Sequence, residues 1–385
     1  MLVAGIIAEY NPFHNGHALL IERARQAGAT HIVAVMSGNF VQRGEPALFH
    51  HAVRAKAALS AGVDLTLQLP VPYAVSGAQS FARAGVEILE AFGCDWLVFG
   101  SECGDSEVIC KTADTVYSDE IKPLIAEELK KGISFASARE NALRSINPVY
   151  ADVIKSPNNI LGVEYAAAIK RINGKMKPVT FVREGAAHDS SQTDCNIASA
   201  SLIRSKILNG EDWSRYVPDS SVFDGCCKAD IRNVERAILY SVRTADKENF
   251  AATPDISEGI ENRILSAARQ ATSLDELYAL AKTKRYSHAR IRRIIINYFL
   301  GITADELAIP VPYIRVTGFN GKGAELLRQK ESRLPVIAKA ADIASAGGDA
   351  QRIFAAECRA GDIYALCCDG INPCGEEKSI RPVIL

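Results

Sequence analysis

Glu9-Tyr10-Asn11-Pro12-Phe13-His14-Asn15-Gly16-His17 is the stretch on which the reading of this chain turns. It follows residues 3–8, a short apolar run that reads as a buried strand. It precedes Ala18-Leu19-Leu20-Ile21, the start of a helix predicted to run to residue 27. Two histidines three apart therefore sit where the first strand hands over to the first helix, on one side of its opening turn. The carboxyl edge of an open α/β sheet is where ligands bind. A helix N-terminus there offers backbone N–H groups and a positive dipole end to an anion. With two imidazoles added, the place suits a polyphosphate. Pro12 and Gly16 predict a tight turn, and Gly16 would let a ligand approach the backbone.

Working outward, strand patterns at 31–36, 64–69, 95–100 and 178–182 alternate with helical patterns at 52–61 and 80–91. Such alternation predicts an α/β fold, a Rossmann-like parallel sheet with right-handed crossovers. Residues 106–144 read as a helical insertion. From about residue 205 the pattern turns helical, at 230–242, 256–271, 274–281 and 287–300, with a mixed tail from 310. The 385 residues suffice for two domains. They are expected at 1–210, carrying the nucleotide-type site, and at 211–385, mainly helical.

A net charge of −1 excludes bulk attraction to a polyanion, so any such site must come from local clustering. No apolar run approaches a membrane span, and the first residues read as a strand and not a leader, so a cytoplasmic protein is expected. The ten cysteines include the adjacent pairs Cys226-Cys227 and Cys367-Cys368, with Cys358 and Cys374 near the second. Their spacings do not match zinc-binding pairs. They read as reduced structural thiols, and no metal ligand is assigned.

Further motifs fall at predicted strand ends. Ser37-Gly38-Asn39-Phe40 follows the second strand and reads as a turn on the ligand edge; Arg43, Arg54 and Lys56 follow it as cations for a phosphate site. Gly100, in Phe99-Gly100-Ser101-Glu102, either permits a turn or lets a base or ribose lie on the backbone. Asn158 and Asn159 either cap a helix or read a base edge. Arg183 and His188 follow the fifth strand. In Ile197-Ala198-Ser199-Ala200-Ser201-Leu202-Ile203-Arg204, hydroxyls and helix N–H groups suit phosphates, with Arg204 as a clamp. Residues 282–293 hold Lys282, Lys284, Arg285, Arg290, Arg292 and Arg293 without an acidic residue, interleaved with Tyr286 and His288. Ile291, Ile294, Ile295 and Tyr298 would face a core, leaving Arg293 outward. The basic stretch fits RNA binding through phosphates and base stacking.

His14-Asn15-Gly16-His17 resembles the HxGH signature of the nucleotidyltransferase superfamily, and residues 197–204 resemble its ISSTxIR phosphate loop. Neither a Walker A sequence nor a GxGxxG motif is present. Taken with Ser156-Pro157-Asn158-Asn159-Ile160-Leu161 and Lys284-Arg285-Tyr286-Ser287, these motifs resemble the bacterial tRNA(Met) cytidine acetate ligases over most of the chain. The resemblance implies a nucleotidyltransferase domain that uses ATP, with magnesium, to turn acetate into acetyl-adenylate. The acetyl group then passes to N4 of the wobble cytidine of elongator tRNA(Met). It implies that His14 and His17 stabilise the α- and β-phosphates, and that Ser199, Ser201 and Arg204 hold the triphosphate tail. Gly100, Asn158 and Arg183 would hold adenosine and phosphate. Ile7, Ala8, Glu9, Tyr10, Asn11, Pro12, Phe13, Asn15 and Gly16 complete the expected nucleotide contacts. The chain departs from the KMSKS pattern in lacking its lysine, for which Arg204 or Lys206 stands in. A small-molecule adenylyl- or cytidylyltransferase, a ligase of the pantothenate synthetase type, and an RNA-binding protein with a vestigial nucleotide domain stay open. Acyl pocket, magnesium ligands, general base and oligomeric state are not legible.

Overall fold

The computed structural model describes residues 1–183 and 196–385. Eight strands form one sheet: β1 (Val3–Ala8), β2 (His31–Ser37), β3 (Leu65–Leu69), β4 (Trp96–Ser101), β5 (Lys177–Val182), β6 (Ile314–Phe319), β7 (Val336–Ile337) and β8 (Val383–Ile384). Their order is β8-β6-β3-β2-β1-β4-β5, with β7 also on β6. From β3 to β5 every pairing is parallel, and β1 meets β2 in the register Val3 to His31 through Ala8 to Met36. The winding direction reverses between β1 and β4. In a doubly wound sheet that reversal opens a crevice at the carboxyl edge.

The β1 and β2 runs are continuously apolar because both sheet faces are covered. Val3, Ile7, Val33 and Val35 enter the core on one face, while Ala4, Ile6, Ile32 and Ala34 enter the core on the other. Helices α1 (Asn15–Gln26), α2 (His51–Ser60), α3 (Ala78–Phe92), α4 (Pro157–Arg171) and α5 (Ala200–Leu208) supply the cover. α3 and α4 lie over the first face, and α1, α2 and α5 over the second. α3 packs so closely on β1 that a Cβ on Gly5 would stand 2.7 Å from Leu89. Three helices, Ser106–Val116, Ile121–Leu129 and Phe135–Ile146, form the predicted insertion between β4 and β5.

Helices α6 (Glu235–Arg243), α7 (Ile260–Gln270), α8 (Leu274–Ala281) and α9 (His288–Phe299) enclose a second core, with Ile291, Ile294 and Ile295 fully buried as their spacing predicts. α10 (Gly348–Cys367) joins the two bodies. Its Ile353 and Phe354 enter the sheet-side core, and its Ala360 and Tyr364 enter the helical one.

Two expectations are corrected. The sheet is mixed, because the tail beyond Pro310 returns to it and β6 runs antiparallel to β3. β3 alternates Leu-Thr-Leu-Gln-Leu, and its buried Thr66 and Gln68 need polar cover. Thr317 and Arg315 of β6 give it, with 2.9 Å hydrogen bonds to Thr66 Oγ1 and Gln68 Oε1. The cysteines are not all reduced. An antiparallel bridge between Ala229 and Cys368 brings the Cα atoms of Cys227 and Cys368 to 5.9 Å, and the two form a disulfide. Among the described residues no helix is long and apolar enough to cross a membrane.

Candidate nucleotide site

α1 begins at Asn15, earlier than its apolar pattern predicts, because two histidine side chains cap it. His14 Nδ1 accepts from the Gly16 N–H at 3.1 Å, and His17 Nδ1 accepts from the His14 N–H at 3.2 Å. With Nδ1 accepting, the neutral ring carries its proton on Nε2, so each imidazole presents an Nε2–H donor. The rings stack with centroids 3.7 Å apart, and Tyr10 packs edge-on against His17. Burial, and then the charge of Arg183, pushes His14 down to about 3. Burial, with His14 and Arg183, also lowers His17. Both rings are therefore neutral near pH 7. A bare backbone at Gly16 makes room for the ring, since a Cβ there would stand 3.0 Å from His14 Cε1.

Both histidines line a cleft of about 420 Å³. Three helix N-termini meet on its wall, represented by His14 at α1, Ser156 and Asn158 at α4, and Ser199 and Ser201 at α5. Arg43, Lys155, Arg183 and Arg204 add positive charge to the same wall. Donors and cations together form a polyanion receptor. A narrower recess of about 70 Å³ shares His14, His17, Arg183 and Ile197 with the cleft and adds Leu19, Leu20, Gly100 and Phe181. Its apolar wall suits a flat base. A Cβ on Gly100 would come within 3.0 Å of Arg183 Cγ, so the bare backbone keeps that arginine in place.

The cations are held by neutral and acidic partners. Arg183 Nη1 donates to Asn158 Oδ1 at 3.1 Å, and Asn158 Nδ2 donates to Glu102 Oε1 at 2.7 Å. Arg204 donates to the Asn11 carbonyl at 2.9 Å and to Glu45 Oε1 at 3.2 Å. To clamp a phosphate, Arg204 must exchange Glu45 for it. Ser199 Oγ caps α5 by accepting from the Leu202 N–H. Lys206 pairs with Glu211 and does not line the cleft.

Of the expected nucleotide contacts, Glu9, His14, His17, Asn158, Arg183, Ser199, Ser201 and Arg204 line the cleft, while Gly16 and Gly100 line the recess. Ile7, Ala8, Tyr10, Asn11, Pro12, Phe13 and Asn15 line neither. Ile7, Tyr10 and Phe13 are core, and Ala8 ends β1. Asn11 Oδ1 accepts from the Leu48 N–H ahead of Pro12, and Asn15 Nδ2 straps the carbonyls of Asn196 and Arg215. His188 lies outside the described residues. Arg54 is fully buried and donates to the carbonyls of Ser37 and Phe49, so it ties loops and binds no phosphate. Lys56 is exposed away from the cleft. Asn39 is buried under α2, accepting from the His51 N–H, and does not line the nucleotide cleft.

Glu102 and Lys155 were not among the expected contacts. Asn158 next to a strand-end glutamate is the signal that could have marked Glu102. Only two carboxylates, Glu9 and Glu102, line the cleft among the described residues. Burial raises the Glu9 pKa, and both Glu102 oxygens accept from Asn158 and Asn159. The described residues therefore make no ready magnesium site of their own.

The basic stretch is divided. Lys282, Lys284, Arg285 and His288 are exposed. Tyr286 is not a stacking platform: only 7% exposed, it packs in the helical core and donates to the Glu258 carbonyl at 2.6 Å. Arg290 donates to the Asp255 carbonyl, and Arg293 pairs with the Asp255 carboxylate at 3.0 Å, so Arg293 does not point freely outward. Arg292 lies over the Tyr278 ring. The hairpin of Phe40–Val41 and Glu45–Pro46 links this body to the cleft. A Cβ on Gly44 would stand 2.8 Å from the Arg292 backbone, while Arg43 lines the cleft and Glu45 holds Arg204.

The HIGH Nucleotidyl Transferase family matches residues 1–378. The tRNA(Met) cytidine acetate ligase of Thermoanaerobacter sp. (strain X514) is 38% identical over 95% of both chains. That of Acetivibrio thermocellus (strain ATCC 27405) is 37% identical, again over 95% of both. Among solved structures, Thermotoga maritima TmcAL bound with alpha-thio ATP superimposes with a TM-score of 0.90 at 31% identity, covering 100% of this chain and 99% of that one. Its apo form gives a TM-score of 0.93 over 100% of both. The chain belongs to the HIGH nucleotidyl transferases and, within them, to the tRNA(Met) cytidine acetate ligase family.

Proposed function

We propose that this chain adenylates acetate with ATP and transfers the acetyl group to N4 of the wobble cytidine of elongator tRNA(Met). The observation that carries this reading is the cleft at the sheet's switch point, where three helix N-termini, two neutral imidazole donors and four cations meet. The names of the relatives and the ATP analogue of the solved neighbour support the substrates. The recess receives adenine, and the cleft receives the phosphates. An acetate oxygen attacks the α-phosphorus, the bond to the bridging oxygen breaks, and pyrophosphate leaves. His14 and His17 donate Nε2–H to the charge that develops at the α- and β-phosphates. Ser199, Ser201 and the head of α5 take the tail, with Arg204 turning from Glu45 to the departing pyrophosphate. The cytidine N4 then attacks the acetyl carbonyl, AMP leaves, and N4 gives up a proton. Residues 1–210 carry the cleft, and the exposed Lys282, Lys284, Arg285 and His288 in 211–385 meet the tRNA backbone. ATP and tRNA both belong to the cytoplasm, where the enzyme would work.

The test is pyrophosphate release with acetate and ATP, with and without bulk tRNA, followed by nucleoside mass analysis of the tRNA. One acetyl group gained on cytidine is the expected result. ATP turnover without modified tRNA would move the reading to a small-molecule acceptor. His17→Ala should abolish pyrophosphate release and leave tRNA binding nearly intact; lost tRNA binding with normal adenylation would overturn this division of roles.

A further inference from the structure

His50 caps α2 and His51 is its first residue, while Glu377 sits in the turn Glu376–Lys378 near the end of the chain. One nitrogen of each imidazole and one Glu377 carboxylate oxygen all lie within 4.8 Å of one another. His51 is 2% exposed, and neither of its ring nitrogens has a hydrogen-bond partner. Its Nε2 stands 3.2 Å from Glu377 Oε1, within reach of charge attraction but out of hydrogen-bond alignment. Buried polar atoms without partners are uncommon and point to something that satisfies them. Glu377 is also 2% exposed and is oriented from behind, where Arg315 Nη1 donates to Oε2 at 2.6 Å. Asn39 reaches the other oxygen, Oε1, only at 3.4 Å.

We infer that His50, His51 and Glu377 bind one zinc-class divalent metal ion, at a place separate from the nucleotide cleft. Two imidazoles and one carboxylate are a nitrogen-and-oxygen set suited to zinc. Magnesium prefers oxygen ligands in octahedral array, so this is not the ion that accompanies ATP. Three protein ligands leave a fourth position. His50 and Glu377 line a cavity of about 310 Å³ whose wall also carries the free thiols of Cys226 and Cys374, so water or a thiolate closes the sphere. None of the three ligands lines the nucleotide cleft. Binding has one local cost. His50 Nδ1 accepts from the Ala52 N–H at 3.3 Å, and that cap is lost whether the metal takes Nδ1 or drives the ring proton onto it from Nε2. Arg54 and Arg315 stand near and oppose the charge of the ion, while Glu376 and Glu377 favour it. The ion would fasten the head of α2 to the C-terminal turn.

The test uses the full-length protein, stripped with a chelator, dialysed and kept in a reductant that does not bind metal. Zn²⁺ is titrated against a chromogenic chelator. Co²⁺ is titrated separately and its visible spectrum recorded. One equivalent of Zn²⁺ and tetrahedral Co²⁺ bands are expected. His50→Ala, at a partly exposed position that leaves the core intact, and His51→Gln should each weaken Zn²⁺ binding by at least about 100-fold, beyond the loss typical of an outer partner. The bands should vanish in both variants. Circular dichroism and ATP binding check that each variant is folded. Failure of the wild type to take up an equivalent of Zn²⁺ would overturn the inference. So would wild-type affinity in both folded variants, which would assign the ion to cysteines alone.

Discussion

At the scale of single residues, the two signature histidines are dry and neutral before substrate arrives. Their folded pKa values lie below the ordinary 6.5, with His14 near 3 because of burial and Arg183. The sign follows directly. The stability they contribute is present above about pH 6.5 and is lost as pH falls toward 3, because the unfolded state then binds protons that the buried rings refuse. A melting temperature that falls across that window in the wild type, and falls less in His17→Gln, is the expected pattern. A second ring proton would have to sit on Nδ1, where each ring already accepts a backbone N–H. ATP binding at pH 7 should therefore leave both rings neutral, seen calorimetrically as a binding heat that does not change with the ionisation enthalpy of the buffer; a buffer-dependent heat with proton uptake would mean the rings become charged and give up their caps. Arg204→Lys tests the exchange with Glu45. A lysine keeps the charge but loses the forked geometry, so adenylation should slow by roughly 10- to 100-fold. An unchanged rate would remove Arg204 from the phosphate site. The residue types of this site were legible because a strand, a turn and two histidines form a local pattern. The use of Nδ1 for capping was not, since it depends on ring rotations that spacing does not encode.

Among elements, the basic stretch around α9 shows what helical periodicity can and cannot reveal. The spacing of Ile291, Ile294 and Ile295 correctly marks the buried face. It says nothing of Asp255, which belongs to a loop 38 residues earlier and takes Arg293. Tyr286 fails as a stacking ring for a similar reason, because its partner is the Glu258 carbonyl, 28 positions back. The RNA footprint is thus predicted to shift to the exposed residues at the start of the stretch. Lys284→Ala with Arg285→Ala should weaken tRNA binding and lower the slope of log K against log salt by about 1 to 2, as two lost phosphate contacts require. Arg293→Ala should leave that slope alone and destabilise the fold by about 1 kcal/mol, measured by urea unfolding, because Asp255 loses a partly shielded partner. The opposite result would place Arg293 in the footprint.

On the scale of the whole molecule, the β-strand, turn and helix alternation in the first third of the chain was readable because each unit is local. The return of the tail was not, because the edge of β3 accepts β6 from a segment some 250 residues away; the Thr317 to Thr66 bond spans 251 positions. That return bears on whether residues 1–210 are an independent unit. In the whole chain, Thr66 bonds to Thr317, and Gln68 bonds to both Arg315 and Glu357. Asp64 accepts from Asn320 Nδ2, and the Val71 N–H donates to Glu357 Oε2 at 2.7 Å. Cutting the chain at 210 removes every one of these partners together with Val316, Ile353 and Phe354 of the sheet-side core, and each large apolar side chain lost from a core costs on the order of 2–5 kcal/mol. A few such losses match the roughly 5–15 kcal/mol that holds an ordinary domain folded. A 1–210 fragment should therefore lack dispersed amide resonances and fail to bind ATP, whereas the full chain should show dispersed resonances and bind it. A folded fragment that binds ATP would show that the cleft stands without its tail, and that the helical body and the sheet are joined only for the sake of the tRNA.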